Sequence, residues 1–175
     1  MKAEPFLLSP AGKDYLWGGT RLKTDFAKDL PLTPLAETWE CSTHPAGESR
    51  AASGKFSGQT LTKILEDHPE FLGTHPEKGR GLPVLVKLID ANRNLSVQVH
   101  PSDDYAAREE QGQRGKTEMW YVLDAAKDAS LIYGLNRDAN RETVGAAVRN
   151  GTLMKYLQRV PVHRDDVFYV EPGTI

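Results

Sequence analysis

The sequence predicts an all-β chain with inserted helices, arranged as an antiparallel sandwich or barrel. Three observations carry this. Short β-rich runs are separated by polar turns, as in "LPVLVKLIDA", "NRN" and "LSVQVHP". No regular alternation of strand and helix suggests a parallel sheet. Pro and Gly punctuate the first half in "LSPAGKDYLWGG", "DLPLTPLAETW" and "HPAGES", which reads as turns and short extended pieces.

In chain order, "TLTKILEDHPEFLG" predicts a short helix. Leu61, Ile64 and Leu65 share one face, and Pro69 stops it. "LPVLVKLIDA" predicts a strand, and "LSVQVHP" a second one closed by Pro101. "SDDYAAREEQ" predicts a helical insert around 102–112. Ser102 can cap it, and Asp103 and Asp104 suit the positive end of its dipole. "TEMWYVLDA" and "SLIYGL" predict two more strands. "NRETVGAAVRNGTLMKYLQRV" predicts two helices around 140–158, broken at Asn150-Gly151, with Thr152 capping the second. "DDVFYVEPGTI" predicts a last strand ending on a Pro-Gly turn.

The 175 residues suit one domain, or one domain and part of another. With 39% hydrophobic and 26% charged residues, the composition is that of an ordinary soluble protein. A formal net charge of −2 gives no electrostatic reason to expect nucleic acid or an anionic membrane as partner. No apolar run is long enough to span a bilayer, and "MKAEPFLLSPAGKDY" is too short in its apolar part for a secretory signal. The single cysteine, Cys41, precludes an internal disulfide, so a cytoplasmic location is expected. Cys41 reads as a small buried residue in preference to a nucleophile. His44, His68 and His75 each precede proline and read as turn residues; His163 precedes charges and reads as exposed.

The chemistry concentrates between residues 96 and 118. Alternation on a strand points Ser96, Gln98 and His100 one way. In the following strand Glu118, Trp120 and Val122 share a face. If the strands are neighbours, Gln98, His100 and Glu118 converge into a mixed nitrogen and oxygen donor set suited to zinc, and also to manganese or iron. Gln98 either ligates or orients His100. Lys116 shares the parity of Glu118 and could face an anionic substrate or a developing oxyanion. The bland alternative is a half-exposed strand with a surface lysine at its start.

Several segments, taken in order, resemble the type I mannose-6-phosphate isomerases, metal-dependent cupin enzymes. They are "DYLWGGTRL", "LAETWECSTHPAG", "LPVLVKLIDANRNLSVQVHPSD", "KTEMWYVLD" and "DVFYVEPGTI". The resemblance implies a cupin-type jelly-roll β-barrel. It implies one zinc ion per chain, or another divalent metal, held by Gln98, His100 and Glu118. Ser96, Lys116 and Trp17 would contact a sugar phosphate, with Lys116 also catalytic. The implied reaction interconverts mannose 6-phosphate and fructose 6-phosphate through an enediolate. Alternatives are an isomerase of another sugar phosphate and a non-catalytic metal- or sugar-binding cupin. In the family the "P-x-G-T" turn leads directly into a further histidine ligand, and a catalytic arginine and more strands come after it. Residues 1–175 are therefore expected to form the N-terminal part of such a domain, with the barrel incomplete. Unpaired strand edges would then invite self-association into a homo-oligomer.

Overall fold

Leu61, Ile64 and Leu65 are buried together on one side of a short helix, as their spacing predicts. The computed structural model describes residues 4–74 and 81–175. His75 lies outside the described residues. The chain divides into two compact units, Met1–Leu95 and Ser96–Ile175.

The first unit contains strands β1 (Leu8–Ser9) and β2 (Ala11–Lys13), helix α1 (Arg21–Thr24), strands β3 (Glu37–Cys41) and β4 (Arg50–Ala51), helix α2 (Leu61–Asp67) and strand β5 (Val86–Ile89). β1 pairs with β4, and β3 lies between β2 and β5. Each pairing is antiparallel. Thr60 caps α2 by accepting from the Lys63 amide at 3.2 Å. That hydroxyl satisfies one of the donors a helix start leaves open. Pro69 then opens a single 3-10 turn over Pro69–Leu72. The buried face of α2 supports a cluster of Ala51, Phe56 and Ile64, against which Phe6 and Phe71 pack. Burying each large apolar side chain contributes about 1.5–3 kcal/mol.

The second unit contains helix α3 (Asp103–Glu109), strands β6 (Glu118–Tyr121) and β7 (Ser130–Leu135), helix α4 (Arg141–Arg149), and strands β8 (Leu157–Pro161) and β9 (Val167–Val170). β6 pairs with β9 and β7 with β8, both antiparallel. Among the described residues the architecture is thus a set of small antiparallel sheets with few helices. The insert forms as expected: Ser102 accepts from the Tyr105 amide at 3.2 Å, and Asp103 and Asp104 occupy the first turn of α3.

Two expectations need correction. Among the described residues "LSVQVHP" forms no strand and joins no ladder. Its backbone bonding is concentrated at His100, whose N–H donates to Thr174 O at 3.3 Å and whose carbonyl accepts from Gly173 N at 2.8 Å. Pro101, next in line, has no N–H to extend the pairing. The helices expected around 140–158 also shrink. α4 ends at Arg149, and beyond it lies one 3-10 turn, Leu153–Lys155, with no side-chain cap from Thr152. Residues 157–161 instead pair with β7. Gly151 at φ 67° breaks the helix, and ladder bonds to β7 outweigh the helical propensity of "LMKYLQR".

Candidate metal and substrate site

Strand alternation puts Glu118 and Trp120 on the less exposed face of β6, while Met119 and Tyr121 are exposed. The helical insert leaves the chain after Pro101 and returns it at Lys116. Two bonds close that loop: Lys116 N–H to Pro101 O at 2.9 Å, and Gly115 N–H to the Asp103 carboxylate at 2.8 Å. The closure brings the start of β6 back beside His100.

The polar side chains meet there. His100 is buried, and its Nε2 lies 3.5 Å from Glu118 Oε2. Lys116 Nζ is 3.0 Å from Glu118 Oε1 and donates to Gln98 Oε1 at 3.3 Å. The Gln98 amide nitrogen donates to Ser96 Oγ at 3.2 Å. The Trp120 indole N–H donates to Glu118 Oε2 at 2.7 Å. Ser96, Gln98, His100, Lys116 and Glu118 therefore form one connected cluster within the second unit. Trp17 belongs to the first unit, where its ring stacks on Tyr15 with centroids 5.5 Å apart.

Burial pushes the Glu118 carboxyl up, but the Trp120 and Lys116 hydrogen bonds and the charges of Lys116 and His100 outweigh it, and the net shift is downward. Glu118 is thus anionic at neutral pH. Because its folded value is lowered, its contribution to stability is present above the ordinary carboxylate range and is lost as pH falls through the lowered value.

The spacing of the His100 and Glu118 donors fits a divalent cation. A separation of 3.5 Å between Nε2 and Oε2 is long for a hydrogen bond. It is close to the roughly 3.3 Å that separates two ligands of a tetrahedral zinc with bonds of about 2.0–2.1 Å. The Gln98 and Glu118 oxygens that accept one hydrogen bond each keep a second lone pair. Among the described residues no group of three or more His, Cys, Asp or Glu side chains is placed to hold a metal. The set is one imidazole, one carboxylate and one amide. A cavity of about 290 Å³ in the same unit, lined by Lys127, Asp128, Ser130, Arg159 and His163, contains none of the five residues.

The remaining candidates fall away. Burial pushes the Cys41 thiol up, which disfavours a nucleophilic thiolate. His44 Nδ1 accepts from Ala46 N–H in a turn at 3.1 Å. His68 ends α2 beside Glu70, and exposed His163 sits 3.4 Å from Asp166. Trp120 is the contact that sequence reasoning missed. Its signal is the Glu-x-Trp spacing, which recurs at Glu37 and Trp39, again with Nε1 2.7 Å from Oε2.

Comparison with known proteins decides the family. The model for the phosphomannose isomerase type I catalytic domain matches residues 6–130. The chain belongs to the type I phosphomannose isomerase family. Mannose-6-phosphate isomerase ManA of Bacillus subtilis is 39% identical over 175 residues, covering 100% of this chain and 54% of the relative. A crystal structure of mannose 6-phosphate isomerase from Bacillus subtilis superposes with a TM-score of 0.91 at 36% identity, over 98% of this chain and 54% of that one. The Salmonella typhimurium enzyme, whose crystal structure holds fructose 6-phosphate and zinc, shares the fold with a TM-score of 0.67 at 15% identity, over 97% of this chain and 64% of that one. The chain spans about half the length of the curated phosphomannose isomerase relatives it matches. Among the described residues no helix is long and apolar enough to cross a membrane.

Proposed function

We propose that this chain carries metal- and substrate-binding groups of an aldose–ketose isomerase that interconverts mannose 6-phosphate and fructose 6-phosphate through an enediolate. The observation that carries this reading is the convergence of His100, Glu118, Gln98, Lys116 and Ser96 in one cluster, in a member of the phosphomannose isomerase family. Within the reading, the antiparallel strands contribute to a cupin-type jelly-roll barrel. His100 Nε2, Glu118 and the Gln98 amide oxygen hold zinc.

The reaction moves a proton between adjacent sugar carbons. That proton becomes removable only if the resulting enediolate is stabilised. Bound zinc supplies Lewis-acid polarisation of the sugar oxygens. Lys116, held between Gln98 Oε1 and Glu118 Oε1, places a positive charge at the same cluster for the oxyanion or the phosphate. Ser96 accepts from Gln98, which leaves its hydroxyl hydrogen for a substrate oxygen. Gln98 is fixed at both ends, its nitrogen by Ser96 and its oxygen by Lys116.

The test is formation of fructose 6-phosphate from mannose 6-phosphate in a coupled assay, before and after chelation. Activity that disappears with the metal and returns with zinc is the expected result. Turnover that survives complete metal removal rejects the metalloisomerase reading. Binding of the sugar phosphate without turnover assigns a non-catalytic cupin instead. For Lys116→Met, affinity for the phosphorylated sugar, measured at saturating zinc, should fall. A charge-assisted hydrogen bond contributes about 1.5–3 kcal/mol, so the loss should be roughly 10–100-fold. Unaltered affinity by calorimetry would make Lys116 a bystander.

A further inference from the structure

We propose that Trp120 is a positioning residue that holds the Glu118 carboxylate in the orientation in which it meets the cation. The inference rests on the metal-site reading above. Rotation about the last side-chain bond of a glutamate moves both carboxylate oxygens together, so each hydrogen bond to either oxygen restrains it. Glu118 is anchored at both. Lys116 Nζ takes Oε1 at 3.0 Å, and the Trp120 indole takes Oε2 at 2.7 Å. Oε2 is also the oxygen that faces His100 Nε2. The indole therefore sets the direction of the oxygen nearest the candidate nitrogen ligand.

The choice of indole has a chemical reason. Its N–H donates, accepts nothing and carries no charge. It can fix the carboxylate without repelling a cation, as a second lysine would. Trp120 lies opposite Phe168 in the β6–β9 register, and Phe168 in turn meets the Tyr133 ring edge-on with centroids 5.8 Å apart. The pair Glu37 and Trp39 on β3 shows the same Nε1 to Oε2 contact at 2.7 Å. The i, i+2 spacing on a strand thus produces this contact in a second setting.

The experiment compares the zinc affinity of the wild-type chain, Trp120→Phe and Trp39→Phe by competition with a chromophoric chelator. Thermal midpoints of the metal-free proteins are measured alongside. Trp120→Phe keeps an aromatic ring and removes the donor. Loss of a group that orients a metal ligand typically costs about 10–100-fold in affinity, and that is the expected loss here. Trp39→Phe should bind zinc like the wild type. A merely structural role would lower the midpoint of Trp120→Phe and leave its zinc affinity unchanged, which overturns the inference. If Trp120→Phe does not fold, the three indole N–H resonances of the ¹⁵N-labelled wild type carry the test. The Trp120 signal should move on zinc addition and that of Trp39 should not. A stationary Trp120 signal in a chain that binds zinc overturns the positioning role alone. A wild-type chain that takes no zinc overturns the metal site and this inference with it.

Discussion

Glu118→Gln is expected to weaken zinc binding by about 100-fold or more while leaving the fold in place. Changing a group that merely orients a ligand already costs about 10–100-fold. Removing the charge of the ligand itself should cost at least the upper end of that range. Glutamine keeps the shape of the side chain, and its amide oxygen can still accept from the Trp120 indole. The substitution removes the negative charge that pairs with Lys116 at 3.0 Å and that a cation would meet 3.5 Å from His100 Nε2. Lys116 is partly exposed, so water can take over solvation of its ammonium, which limits the loss of stability. His100→Ala should match Glu118→Gln in metal loss. It should exceed it in destabilisation, because His100 is 7% exposed and its removal leaves a hole. Elemental analysis after gel filtration and a chelator competition measure the first effect, and a thermal melt the second. Zinc stoichiometry and affinity equal to wild type in both variants would remove Glu118 and His100 from the proposed metal site.

The sequence offered the meeting of these residues only on the condition that the two segments are neighbours, and the ordered family resemblance supported that condition. Alternation places Ser96, Gln98 and His100 in one series and Lys116, Glu118 and Trp120 in another. A capped insert between them, begun at Ser102, returns the chain to its starting point. The helix over 61–67 was legible without that condition, since its three buried residues obey helical spacing. The features that the sequence concealed depend on long-range pairing. Residues 94–100 have the composition of a strand, but a ladder needs a partner, and among the described residues only His100 exchanges a pair of backbone bonds, with Gly173 and Thr174. Residues 157–161 contain Leu, Gln and Arg, which favour helix, and the register with β7 decides otherwise. The Trp120 contact was concealed for a third reason. Periodicity gives the face of a side chain, but not the ring torsion that aims its N–H at one oxygen of Glu118.

Gly115→Ala is expected to destabilise the chain by about 2 kcal/mol and to loosen zinc binding through the backbone, with every proposed metal-binding side chain left intact. A Cβ at residue 115 would stand 2.5 Å from Asp103 N, 2.6 Å from Ser102 C and 2.9 Å from Pro101 O. All three are backbone atoms at the start of α3, so none can swing aside as the tip of a long side chain could. Either the insert or the start of β6 must shift. The bonds at risk are those that close the loop, Gly115 N–H to Asp103 and Lys116 N–H to Pro101 O. Lys116 and Glu118 come immediately after, so a displacement there changes the spacing to His100. For a chain of this length about 2 kcal/mol corresponds to a fall of roughly 4–8 °C in thermal midpoint. Gly145→Ala supplies a contrast of opposite sign. Gly145 lies inside α4, and a Cβ there would meet only the end of the Arg149 side chain, at 3.4 Å. Alanine in a helix interior is favoured over glycine by about 0.5–1 kcal/mol, so that variant should melt higher and bind zinc normally. A Gly115→Ala chain with wild-type midpoint and wild-type zinc affinity would show that the insert does not hold β6 in place beside His100.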